Sequence, residues 1–238
     1  MPNPAKRPEP VSLQGQYCAL VPLDPAAHFP ALWEATRAPE DAELWRYLFD
    51  GPFTKPQDFE TRIEQKAAAR DALYLAILDL PSRRAAGYCS LMRIVPEHAC
   101  IEVGDILYTP RLRQTRAATE AMYLLARHVF EELGYRRYEW KCDSRNEPSR
   151  RAALRLGFQF EGIFRQHMIV KGQSRDTAWF SMLDCEWPER KQAFEAWLQP
   201  SNFDAKGIQR ASLARPAASA GMRSATGGSA GKSVDASD

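Results

Sequence analysis

The chain has 238 residues, 45% hydrophobic and 26% charged, an ordinary globular composition with length for one large domain or two small ones. Its 32 Lys and Arg nearly balance 30 Asp and Glu, so a net charge of +2 disfavours nucleic acid as the main partner and leaves only a local basic patch open. The longest apolar stretch, Leu73 to Leu78, is too short to cross a bilayer, and the start MPNPAKRPEP lacks the apolar centre of a secretory signal, which predicts a soluble, cytoplasmic protein.

Residues 1–10 hold four prolines and read as an extended arm, and 11–200 as the folded unit. Within it, Gln16 to Leu23 is a strand, His28 to Ala35 and Ala42 to Leu48 are short helices, and Phe59 to Arg70 is a further helix. Leu73 to Leu80 and Gly87 to Ile94 form a hairpin across Pro81 to Arg84, and a turn at Pro96 leads to the strand Ile101 to Tyr108. Ala118, Ala121, Met122, Leu125, Val129 and Leu133 then recur at helical spacing up to Gly134, a C-terminal cap.

Next, Tyr138, Trp140 and Cys142 alternate with Arg137, Glu139 and Lys141, the period of a half-buried strand. Asn146 as N-cap, Pro148 in the first turn and Gly157 at the end bracket a short helix. Phe164 to Val170 and Thr177 to Cys185 form a last hairpin, and Pro188 to Leu198 a final helix. Residues 201–238, rich in Ala, Ser and Gly, are predicted to be a disordered tail. This order gives an α+β (mixed α/β) fold: a largely antiparallel central sheet flanked by helices, with one crossover creating a parallel pair that is free to splay and open a cleft.

Five cysteines form an odd set without a C-x-x-C pair, and the four histidines stand at no metal-ligand spacing, so reduced thiols and no metal are expected. The segment IEVGDILYTPRLRQTRAATEA, Ile101 to Ala121, ends a strand and begins a helix through a loop with Arg111, Arg113 and Arg116. Helix-start N–H groups with nearby guanidinium groups suit a phosphorylated ligand; solvated loop charges are the plainer alternative.

From here the order and motifs resemble the GNAT superfamily of acetyl-CoA-dependent N-acetyltransferases, its RimJ/RimL-like branch in particular, over roughly residues 11–188. The superfamily loop Q/R-x-x-G-x-G/A, whose amides hold the coenzyme A pyrophosphate, is matched by Arg113-Gln114-Thr115-Arg116-Ala117-Ala118, followed by Thr119-Glu120-Ala121; Arg116 stands where glycine is usual. Asn146-Glu147-Pro148-Ser149-Arg150-Arg151, then Gly157-Phe158 and Glu161-Gly162, is similar to the family's N-x-x-S, G-F and E-G segments. Helix capping alone would also explain Asn146 and Ser149.

The resemblance implies acetyl-CoA as acyl donor on Arg113 to Thr119, with Arg151 close by. It implies Asn146 on the pantetheine arm, Ser149 as proton donor to the leaving thiolate, and an N–H donor for the oxyanion on the strand around Ile106, Leu107 and Tyr108. An amine acceptor needs a base. Glu102 is favoured, since alternation puts Glu102, Gly104, Ile106 and Tyr108 on one face and Asp105 on the other, although such a Glu also suits a solvated strand face. His167 is the competitor, beside Met168 where RimL-like members carry a carboxylate. Trp45 and Tyr47 lie in the region that covers the acceptor in this branch, or belong to the core, and Asp176 either anchors a cationic acceptor or ends a turn.

The function implied is acyl-CoA-dependent transfer, with acetyl expected, to a primary amine of a small molecule or a protein N-terminus, by direct attack in a ternary complex. A non-catalytic acyl-CoA-binding module on the same fold is the first alternative. An arginine-rich nucleic-acid binder is the second, and the charge balance disfavours it.

Overall fold

Cap residues set the element boundaries. In the computed structural model, which describes residues 5–213, the Asp24 carboxylate accepts from the N–H groups of Ala26 and Ala27 and starts helix α1 (Pro25–Glu34). Thr115 accepts from Ala118 N–H at the start of α3 (Arg116–Arg127), and Asn146 from Ser149 N–H at the start of α4 (Glu147–Leu156). Gly157 ends α4 at φ 101°, a left-handed position that a side chain would strain.

Eight strands form one sheet in the order β1-β2-β3-β4-β5-β6-β8-β7. They are β1 (Leu13–Gln14), β2 (Cys18–Pro22), β3 (Leu73–Asp79), β4 (Arg84–Val95), β5 (Cys100–Tyr108), β6 (Arg137–Asp143), β7 (Gln159–Val170) and β8 (Gln173–Leu183). Every pairing is antiparallel except β5 with β6, which the crossover through α3 makes parallel. This is the α+β arrangement that the residue patterns implied.

Helices cover both faces of the sheet except at the edge strand β7, which is mostly exposed. Against one lie α3, α4 and α5 (Trp187–Leu198), and the alanines of α3 let that helix pack closely while Leu125, Val129, Tyr138, Phe158 and Phe194 fill the layer. Against the other lie α1 and α2 (Pro56–Ala67), around Leu32, Trp45, Phe59, Ile63 and Tyr88. A buried carboxylate ties α3 to the first hairpin: Glu120, 4% exposed, accepts from the N–H groups of Gln16, Tyr17 and Cys18 at 2.7, 2.6 and 2.8 Å. A Cβ on Gly15 would stand 2.4 Å from that carboxylate, so glycine is required there.

Four local expectations are corrected. Ala42 to Leu48 is no α-helix; a 3-10 turn, Pro39–Trp45, replaces it. The long helix toward Gly134 is α3 followed by a π-helical turn, His128–Glu132. β7 begins at Gln159 rather than Phe164, and three residues, 165–167, bulge out between the pairs Phe164↔Thr177 and Met168↔Arg175.

The fourth concerns the C-terminal segment. Up to residue 213 it folds back onto the domain instead of trailing off. Phe203 and Leu213 are buried, Phe203 bridges to Gln209, and Trp197 Nε1 donates to Gln209 Oε1 at 2.8 Å. Residues 214–238 of the expected tail, and 1–4 of the expected arm, lie outside the described residues; within the arm, Lys6 N–H donates to Leu133 C=O and Ala5 is buried.

Candidate active site

The cleft arises because the parallel ladder is short. β5 and β6 pair only from Cys100↔Arg137 to Val103↔Trp140. Just beyond, Asp105 takes φ 46° and the register of β5 against β4 slips from Ser90↔Gly104 to Tyr88↔Leu107, a bulge that bends β5 away from β6. The gap continues into two cavities, of about 1100 and 300 Å³, that share Tyr108, Arg113, Trp140, Pro148 and Ala152 as walls.

The bulge also exchanges faces. Ile101 and Val103 lie in the α3-side layer, and so, beyond the bulge, do Ile106 and Tyr108, whose hydroxyl donates to Ala118 C=O. Leu107 joins the α2-side layer. Asp105 turns toward α2, bonded to Lys66 and, at 2.8 Å, to Tyr74 Oη. The expected single face of Glu102, Gly104, Ile106 and Tyr108 is therefore broken, and Asp105 stands on the side that was denied to it.

The larger cavity runs along the start of α3, where Gln114 at φ 60° turns the loop. First-turn N–H groups at a helix start have no carbonyl four residues back, so those of α3 suit an anionic ligand. Arg113 and Arg151 add exposed positive charge. Arg155 donates to Thr119 Oγ1 at 3.1 Å and stacks on Trp197. Arg116 turns back from the loop: its guanidinium carbon lies 4.3 Å from the Phe203 ring centre and 5.1 Å from that of Tyr17. Cations and N–H groups, together with Trp197, Phe203 and Leu213 in the same walls, fit a ligand with both phosphates and an apolar arm.

The smaller cavity holds the chemistry-bearing side chains. Glu102, 2% exposed, has Oε1 2.7 Å from Arg93 Nη1 and Oε2 2.8 Å from Lys141 Nζ. Lys141 is paired also with Glu139 at 2.7 Å and lies 3.8 Å above the Trp179 ring. Ser149 Oγ accepts from Trp140 Nε1 at 3.0 Å, and its hydroxyl also bonds the Cys142 thiol. Burial works against ionisation of Asp143, but hydrogen bonds from the Arg145 side chain and N–H hold its carboxyl below the usual range. Tyr47 closes the wall, its hydroxyl donating to Arg145 C=O at 3.2 Å.

A family profile described as "Acetyltransferase (GNAT) domain" matches residues 19–159. A crystal structure of a GCN5-related N-acetyltransferase from Brucella melitensis is 46% identical, with a TM-score of 0.86 over 88% of this chain and 95% of that one. The chain belongs to the GNAT acetyltransferase family. A GNAT-family structure from Chromobacterium violaceum is 41% identical, with a TM-score of 0.73 over 78% of this chain and 92% of that one. The Bacillus licheniformis protein named "Uncharacterized N-acetyltransferase p20" is 28% identical over 62% of this chain and 84% of its own length.

This GNAT enzyme is an N-acetyltransferase, with acetyl-CoA as donor, and among its described residues no helix is long and apolar enough to cross a membrane. Glu102, Ser149, Asn146 and Tyr47 meet in the smaller cavity, and Arg113, Gln114, Thr115, Arg116, Ala118, Thr119 and Arg151 line the larger, with Tyr108 in both. Ala117 and Leu107 are core residues.

Trp45 is also core, 1% exposed and packed on Phe53 and Phe59. His167 sits on the β7 bulge, its Nδ1 3.0 Å from Thr177 Oγ1, and lines neither cavity. Burial, then Arg175, Arg93 and Lys141, hold its imidazole below the ordinary range. Asp176 shapes the same bulge, accepting from Gln166 N–H at 2.7 Å, and also lies outside both cavities.

Lys141 and Arg175 line the smaller cavity and Arg155 the larger, and the sequence reading placed none of the three there. Lys141 stood on the polar face of the β6 alternation, a usable signal; Arg175 follows a turn and carried none.

Proposed function

We propose that the enzyme transfers acetyl from acetyl-CoA to a primary amine by direct attack, with donor and acceptor meeting where the two cavities join. The observation that carries this reading is the junction itself: a helix start suited to an anion leads into one cavity, and the Glu102 carboxylate and Ser149 hydroxyl stand in the other. The amine nitrogen attacks the thioester carbonyl carbon, the C–S bond breaks, and the thiolate takes a proton.

Asn146 and Ser149 stand on the acceptor side of the shared walls, where Ser149 O–H protonates the sulfur. Main-chain N–H groups of the splayed stretch Gly104 to Tyr108 receive the developing oxyanion. Glu102 takes the amine proton, directly or through water, on a lone pair that Arg93 and Lys141 leave open. Placement in the RimJ/RimL-like branch rests on the Asn146 to Phe158 and Glu161-Gly162 segments.

Calorimetric titration with acetyl-CoA, with dephospho-coenzyme A and an adenine nucleotide as controls, followed by thiol release across a panel of amines, tests this. Saturable acetyl-CoA binding and amine-dependent thiol release are expected. No binding at millimolar ligand would overturn it.

A further inference from the structure

The buried charges along the smaller cavity are matched, with one exception. Glu102 is shared by Arg93 and Lys141, Asp143 is held by Arg145, and Asp105 by Lys66. Arg175, from β8 just past the end of β6, lines this cavity at 6% exposure. Among the described residues no carboxylate stands within ion-pairing distance of it, and its Nε has no hydrogen-bond partner. Its guanidinium carbon lies 5.4 Å from the Phe49 ring centre, and Asp143, already bound by Arg145, acts on it only through space.

A guanidinium withdrawn from water without a direct ion pair loses hydration, which an incoming anion offsets. We infer that the acceptor is a small amine bearing an anionic group, a carboxylate or phosphate, and that Arg175 receives that group while the amine points toward Ser149. The planar fork of Arg matches either oxyanion bidentately. A cavity of about 300 Å³ with Tyr47, Leu48 and Phe49 in its wall suits a molecule the size of an amino acid. This inference rests on the acetyl-transfer reading of the same cleft and names its substrate class.

The test uses the full chain with acetyl-CoA and three matched sets: free L-amino acids, their C-terminal amides, and the corresponding decarboxylated amines, with O-phosphoethanolamine as the phosphate arm. Thiol release and, separately, calorimetric binding in the presence of coenzyme A are read for wild type, Arg175→Gln and Arg175→Lys. The best acid should exceed its own amide in kcat/KM by on the order of 100-fold. Arg175→Gln should collapse that ratio toward one, chiefly through KM, and Arg175→Lys should restore part of it.

Thermal melting and coenzyme A binding report whether each variant is folded, and the wild-type acid-to-amide ratio stands independently of both. If amides or decarboxylated amines match the acids, or if no anionic amine binds at millimolar concentration, the inference is overturned. Absence of thiol release with every amine, alongside Arg175-dependent binding of the anion, would instead overturn the transfer reading and, with it, the acceptor assignment, leaving Arg175 as an anion site alone. A winning phosphate arm would identify the anion as a phosphate.

Discussion

Arg116 replaces the glycine of the family loop, and its stacking predicts what its removal does. In Arg116→Ala the guanidinium loses two aromatic partners, Tyr17 and Phe203. Only the Phe203 ring belongs to the segment from Phe203 to Leu213, so at about 1 kcal/mol for a half-buried ring that segment should lose about 1 kcal/mol of its docking energy, roughly a 5-fold rise in its opening equilibrium. What remains holds it only in part: Asn202 Nδ2 to Trp197 C=O at 3.0 Å, Arg210 N–H to Asn202 C=O at 2.6 Å, and the buried Leu213.

Hydrogen exchange reads this locally. The amides of Ile208, Arg210 and Ala211, hydrogen-bonded to Asp204 and Asn202, should lose protection by roughly 5-fold. Those of β4 and β5 should not change. Because Phe203 and Leu213 wall the larger cavity, saturating coenzyme A should restore much of the protection. Unchanged exchange in the segment, or an equal loss across the whole domain, would refute the idea that Arg116 clamps this segment.

Three further outcomes follow from other sites. Glu120→Gln puts an amide against three main-chain donors, so urea unfolding should show a loss of about 2–4 kcal/mol; a loss below about 1 would mean that the carboxylate is not what ties α3 to the first hairpin. Ser149→Ala should lower kcat by roughly 100-fold with acetyl-CoA binding nearly unchanged, and a wild-type kcat would remove Ser149 as proton donor. His28 accepts from Asp24 N–H on Nδ1, and burial, opposed by Asp24, leaves its imidazole below the ordinary 6.5. The unfolded chain then binds the extra proton first, so stability falls as pH drops from about 7 through 6.5; His28→Asn should flatten that slope in urea midpoints measured against pH, and an identical slope would contradict the assignment.

Elements whose side chains repeat at a steady period were legible: the α3 stripe from Ala118 to Leu125, the β6 alternation, and the capped helix from Asn146 to Gly157 all stand where their spacing put them. What escaped were places where one backbone residue leaves the regular period. Counting by twos along β5 is sound up to Gly104 and fails at Asp105, because a residue at φ 46° adds a step that no polar or apolar pattern marks. Three bulged residues in β7 likewise carry His167 to the surface.

Tertiary context decided the rest. Trp45 and Tyr47 are two residues apart in an irregular segment, and only the packing of Phe53 and Phe59 makes one core and the other cavity wall. The same holds for charge. A sequence shows which residues are cations but not which have a partner: Arg116 stacks on Tyr17 and Phe203, Arg155 bonds Thr119 and stacks on Trp197, and Arg175 lines the smaller cavity over Phe49 without a direct ion pair. Substrate choice in a fold this widely shared therefore resides in pairings among distant residues, and the unmatched charge is where a bound molecule has the most to contribute.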